Sequence, residues 1–227
     1  MPATVSSRTA KRRCKHSLDE SQYFNSAQLA RLLRTVARAW RSRKFLRRRE
    51  AFVIHLGLST GLRVAEMANL RLADLQLSGP WRSVVVQRGK GGKRRVVRIS
   101  RDCKQRCLAF IEAKQAAGEP VRMDAPVFYS PATGEALTTR ALQKAFKRLV
   151  RKAGLGNAHS FHALRHTYGT RLCRASNNNL RLVQRQMGHD SIETTALYLH
   201  VENQEVERAL AKLSAQLHGK GSKPARN

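Results

Sequence analysis

His162-Ala-Leu-Arg165 sets an imidazole and a guanidinium three residues apart in a stretch patterned as a helix, so both side chains leave one face toward one point. A phosphate could be held between them. Further residues able to join them follow a fixed order along the chain: Arg63, Lys90 in Gly-Lys-Gly-Gly, His189 after Met-Gly, and Tyr198 in Ala-Leu-Tyr-Leu-His. Together they offer a cationic cradle for one phosphate and a phenol that can act as a nucleophile. Glu66 lies three residues beyond Arg63, close enough on a helix to hold that guanidinium in place. Singly, each residue is ordinary: a tyrosine is usually core, a lysine in a loop is usually solvated. The conjunction carries the reading.

The overall charge points the same way. Of 227 residues, 44 are Lys or Arg and 15 are Asp or Glu, a formal charge of +29. Such an excess draws polyanions by releasing their counterions, so nucleic acid is the first expectation and an anionic membrane surface the second. The longest apolar run near the middle, Ala51 to Leu58, is broken by His55 and falls short of the roughly 20 residues of a spanning helix. Met1 to Lys15 is basic with no apolar stretch behind it, unlike a secretory signal. The expectation is a protein that stays inside the cell, in the cytoplasm, without membrane contact. Cys14, Cys103, Cys107 and Cys173 lack zinc-site spacing and suggest no disulfide framework; Cys103 and Cys107 read as two small side chains on one helix face.

The elements that must position these groups are mainly helical. Residues 1–20 read as a basic flexible arm, with Arg8 to Lys15 its charged part, 21–218 as one folded domain, and 219–227 as a flexible basic tail. Asn25 or Ser26 can cap a helix toward Trp40 with Leu29, Leu32, Leu33, Val36 and Ala37 as its apolar face. A buried helix over Leu46 to Leu58 ends at Ser59-Thr60-Gly61, where the chain turns sharply into a helix over Leu62 to Leu70. Arg63 is thus expected in a first helical turn.

Ser83 to Arg88 and Lys93 to Ile99 read as β-branched strands around Gly89-Lys90-Gly91-Gly92, a β-hairpin. Its loop and second strand carry Lys90, Lys93, Arg94 and Arg95, too much charge to bury, so the tip should face solvent or a ligand. A short strand is expected near Leu72 to Leu77, and Ala125 to Ser130 as an extended link. Further helices are expected over Arg101–Ala117, Thr138–Ala153, Ser160–Ala175, Asn179–Met187, Ile192–His200 and Glu202–Leu217. The whole is an α+β fold, mainly helical with a small antiparallel sheet.

Thr-Gly-Leu-Arg63-Val-Ala-Glu66, Gly-Lys90-Gly-Gly-Lys-Arg, His162-Ala-Leu-Arg165-His, Met-Gly-His189 and Tyr198 together resemble, in order, the boxes of the tyrosine recombinase (phage integrase) family. The resemblance runs from about Asn25 to Leu217. It implies the family's catalytic fold and a site-specific DNA recombinase, in which Tyr198 attacks a backbone phosphate and leaves a 3′-phosphotyrosyl link with a free 5′-hydroxyl. That link conserves bond energy, so no cofactor, neither ATP nor a metal ion, is expected. Arg63 and Arg165 would meet the charge gathering on the non-bridging oxygens, since guanidinium groups donate in a planar fork and stay protonated. Lys90 resembles the general acid for the departing 5′-oxygen, with Lys93 a substitute. A phenol of pKa about 10 needs a neighbour for its proton, for which His162 is the candidate; His189 would donate to a phosphate oxygen, and Glu66 would orient Arg63 or the neighbouring histidine. His166 and His200 read as structural.

The resemblance also implies double-stranded DNA as partner, a homo-tetramer on two DNA sites from protomers that can be monomeric when free, and accessory DNA-bending proteins. The apolar stripe of helix 202–217 suits either exchange to a neighbouring protomer or folding back on its own domain. Members usually carry a separate N-terminal helical domain of about 100 residues that clamps the far side of the duplex; the expectation here is a short form, similar to fimbrial phase-variation recombinases. The basic arm and Arg31, Arg34, Arg38, Arg41 and Arg43 could stand in for the clamp, and Lys93, Arg94 and Arg95 join them as candidate DNA contacts. Two alternatives share these features: relaxation of DNA as by a type IB topoisomerase, and a catalytically silent DNA-binding or architectural protein.

Overall fold

The structure, a computed structural model, describes residues 22–87 and 94–188. The expected arm, the hairpin tip with Lys90 and Lys93, His189, Tyr198, the helices over 192–200 and 202–217, and the basic tail lie outside the described residues.

Helix α1, Ser26–Trp40, begins where the Asn25 side chain accepts from the Gln28 amide at 2.9 Å while Gln28 Oε1 accepts from the Asn25 amide at 3.1 Å. This reciprocal box satisfies two of the helix's orphan donors. Its buried face is Leu29, Leu32 and Val36; Leu33 and Ala37, expected with them, are exposed. The stripe is narrower than the sequence suggests because α1 covers the core on one side only.

Helix α2, Phe45–Thr60, is the central element, packed by α1, by α4 (Arg101–Ala116), by α5 (Thr139–Lys152) and by α6 (His162–Ala175). Past the charged run Arg47 to Glu50 it is apolar almost all round, with Ala51, Phe52, Val53, Ile54 and Leu56 fully buried. Phe52 stacks on Phe110 of α4 at 4.1 Å between ring centroids, with Phe128 closing the cluster at 5.8 Å from Phe52. Cys103 and Cys107, both fully buried, face inward from α4; a hydrogen bond from the Cys107 thiol lowers the pKa of the Cys103 thiol, against burial, with help from His55 and Ser59.

Helix α3 is shorter than expected, Val64–Ala68, with Arg63 as its N-cap in extended backbone rather than inside the first turn. A 3-10 turn, Leu72–Asp74, replaces the start of the expected strand. The sheet is antiparallel in the order β1 (Leu75–Gln76), β2 (Ser83–Val86), β3 (Arg95–Arg98), with Val84 opposite Val97 and Val86 opposite Arg95. The last two residues of the segment read as an extended link, Tyr129–Ser130, pair as β4 with β5 (Glu135–Ala136) in a second hairpin. Strands of two residues are too short to show an alternation.

Helix α7, Leu180–Met187, follows α6 and lies against β3, where Gln186 Oε1 accepts from the Arg98 amide at 3.0 Å. Among the described residues no helix is long and apolar enough to cross a membrane.

Candidate functional site

The site begins at the end of α2. Gly61 closes that helix at φ +63°, its amide donating to Gly57 O at 2.9 Å. A Cβ there would collide with the ring of Tyr168 on α6, so only glycine permits both the left-handed turn and this approach. Gly57, one turn earlier, leaves the room that Leu164 fills. Close packing of α6 on α2 at these two glycines brings Arg165 beneath the turn.

Arg165 is only 3% exposed. It donates to Gly61 O at 2.6 Å and to Met187 O at 2.7 Å. Both carbonyls close helices, α2 and α7, where backbone oxygens lack helical partners and the dipole is negative. One guanidinium therefore pins two helix ends. The chain leaves the first to reach Arg63 and the second to reach His189.

Arg63, with 26% of its side chain exposed, is held by Glu66, which is almost fully enclosed. Glu66 accepts from the Arg63 amide at 2.8 Å and from its guanidinium at 3.0 Å, as the sequence spacing suggests. Arg95 departs from expectation. It is turned inward with 13% of its side chain exposed, and forks onto both oxygens of Glu66 at 2.6 and 2.7 Å. Its charge can be buried because a carboxylate neutralises it, which the strand pattern alone does not show. Arg94, next to it, is exposed. Burial pushes the Glu66 carboxyl up, but bonds from Arg95 and the Arg63 amide, the charge of Arg95 and the Arg63 side chain together hold it below the usual range.

His162 opens α6 and is exposed. Its pKa is lowered by partial burial, then by the charges of Arg165 and Arg63, with Glu66 opposing. The charges of Arg63, Glu66 and Arg165 are thus all felt at His162. His166, one turn on, has its ring centroid 5.6 Å from that of His162. Burial and then the His162 and Arg165 side chains push it down to about 4.

A feature passed over in the sequence lies beside this cluster. The inner face of α5 is Leu142, Ala145, Phe146, Leu149 and Val150, and its outer face is Arg140, Lys144, Lys147 and Arg151. Spacings of four, three and four align those cations on one side; that signal was present in the residue order. A groove of about 560 Å³ runs along them to Ser160 and Phe161, next to His162. Among the described residues no ion pair neutralises these four, because the acids Glu50, Glu66 and Glu119 are committed to internal pairs with Arg47 and Arg148, with Arg63 and Arg95, and with Arg49 and Lys114. The candidate contacts on α1 are placed differently: Arg31, Arg34, Arg38, Arg41 and Arg43 are exposed on or just beyond that helix, and Arg31 donates to Gly154 O at 2.9 Å.

No cluster of potential metal ligands occurs among the described residues.

A helical domain with a small antiparallel sheet, Arg165 of α6 bonded to the Gly61 turn that leads into Arg63, and a basic helix alongside define the class of tyrosine recombinase catalytic domains. The profile of the phage integrase family matches residues 22–205, and the chain belongs to that family. It is 36% identical over 162 residues to tyrosine recombinase XerC of Pseudomonas entomophila, covering 71% of this chain and 51% of the relative. To XerC of Staphylococcus epidermidis it is 31% identical over 194 residues, 82% of this chain and 60% of the relative. The chain thus spans about half to three-fifths of the length of these curated relatives. Among solved structures it resembles the XerH site-specific recombinase bound to palindromic difH substrate, with TM-score 0.68 and 26% identity over 86% of this chain and 54% of that one. The catalytic domain of bacteriophage HP1 integrase shares the fold, with TM-score 0.54 and 21% identity over 90% of this chain and 99% of that one.

Proposed function

We propose that this chain is a site-specific DNA recombinase that breaks and rejoins duplex DNA through a phosphotyrosyl link to Tyr198. One observation supports the reading: Arg165 bonds the carbonyl of Gly61, two residues before Arg63, and that of Met187 at the end of α7, while the charges of both Arg63 and Arg165 are felt at His162. Arg63 and Arg165 hold the non-bridging oxygens, His189 donates to one of them, and His162, kept neutral by its lowered pKa, takes the phenol proton. Lys90 protonates the leaving 5′-oxygen, and Lys93 is its substitute. Duplex phosphates lie along α5, with the α1 arginines and Arg94 as outer contacts. The protein acts in the cytoplasm, and assembly on two DNA sites is tetrameric. Accessory DNA-bending proteins arrange those sites.

The test is covalent trapping. Nicked fragments of host DNA, in which the short piece beyond the cleaved phosphate diffuses away, should accumulate a protein–DNA adduct with the wild type and none with Tyr198→Phe. An adduct persisting in Tyr198→Phe would reject the nucleophile. Absence of any wild-type adduct, with DNA still bound, would mark a silent DNA-binding protein. Supercoil relaxation by monomers at random sequence would instead mark a topoisomerase.

A further inference from the structure

Glu66 is the acceptor most heavily used in the site. A carboxylate offers about four lone-pair positions, and here Oε1 takes Arg63 and Arg95 side-chain donors while Oε2 takes the Arg63 amide and the second Arg95 donor. The Arg95 stem packs against Gly188, where a Cβ would collide with its Cδ. The backbone at Gly188 is left-handed, at φ +63°, and His189 follows directly. One side chain thus touches the strand of the hairpin, the anchor of Arg63 and the end of α7.

We infer that Arg95 is a positioning residue for the cleavage reaction, not a DNA contact. By occupying both Glu66 oxygens it limits Arg63 to a single side-chain bond, so the other guanidinium donors stay available to a phosphate. Without Arg95, Arg63 and Glu66 would close into a two-point fork, the favoured geometry for such a pair, and the arginine would be turned from its substrate and neutralised. The two cations on one carboxylate also leave the trio a net positive charge facing an anionic transition state. This role rests on the recombinase reading.

The test uses the full chain with Arg95→Met, Arg95→Lys and Glu66→Gln, alone and combined. On a nicked duplex recovered from wild-type trapping, single-turnover adduct formation at saturating DNA should fall about 10²-fold in Arg95→Met, the loss a small misplacement of a reacting group can bring. DNA affinity and its salt slope should stay unchanged. Losing Arg95 also removes bonds and charge that hold the Glu66 carboxyl low, so activity should begin to fail at a higher pH on acidification than in the wild type. In the Glu66→Gln background, Arg95→Met should cost nothing further. Should Arg95→Met not fold, Arg95→Lys decides: an ammonium cannot fork onto both oxygens, and a full rate there overturns the inference. Loss of DNA affinity with an unchanged saturated rate also overturns it and makes Arg95 a phosphate contact. If the wild type forms no adduct, the recombinase reading is what fails. The Arg63 side-chain NH signals then decide the link to Glu66, and they should move with Arg95→Met but not when Glu66 is already Gln.

Discussion

Arg165 spends two donors on main-chain carbonyls, at 2.6 and 2.7 Å, while enclosed by α2, α6 and α7. A guanidinium suits this because it is planar, weakly hydrated and permanently charged. Arg165→Lys should therefore be costly despite keeping the charge. An ammonium cannot span both carbonyls, and leaving a buried acceptor unpaired costs about 1–3 kcal/mol, which thermal denaturation should register as a lower Tm. On the proposed role of Arg165 at the phosphate, its loss as a donor should slow single-turnover adduct formation by about 10²–10³. A variant with wild-type Tm and rate would remove Arg165 from both roles. At this scale the sequence is informative where partners are local: Glu66 lies one helical turn from Arg63, and His162 three residues from Arg165. Arg95 was misplaced because its partner is 29 residues away, and a strand pattern with a charged inward position looks the same as one with a charged outward position. The carbonyl partners of Arg165 are likewise invisible to side-chain patterns.

The elements follow the same division. Capped, periodic helices were legible: Asn25 and Gln28 announce α1, Ser100 accepts from Cys103 at the start of α4, and Thr138 accepts from Ala141 at the start of α5. The β4–β5 hairpin and the shortness of α3 were not, since both are decided by packing over two to five residues. Helix α6 has its own liability, in His166. Its pKa is pushed from 6.5 down to about 4, chiefly by burial. The unfolded chain therefore takes up a proton below about 6.5 that the folded chain refuses until about 4, so stability from this group is full above 6.5 and drains as pH falls through that window. His166→Gln should flatten the Tm profile between pH 6.5 and 4 relative to wild type. Parallel profiles would mean that the imidazole is protonated in the fold without penalty.

Across the whole molecule the +29 charge predicts that polyanions bind, but not where. The internal pairing of Glu50, Glu66 and Glu119 answers part of that, because among the described residues no acid compensates the outer face of α5. A duplex whose phosphates follow the groove from Arg140 to Ser160 would release counterions there, and the slope of log affinity against log salt is about −0.9 per phosphate neutralised. Lys144→Gln with Arg151→Gln removes two such contacts, so the slope should become shallower by about 1.8. Since neither residue has an ion-pair partner among the described residues, Tm should hold. Arg34→Gln with Arg38→Gln on α1 is the informative comparison, because those cations are equally exposed but lie on another helix. A slope that moves with the α5 pair alone confines the duplex to the α5 side, while a slope that moves with both requires DNA to wrap onto α1. If neither pair shifts it, the phosphates lie elsewhere on the surface and the groove is not the track.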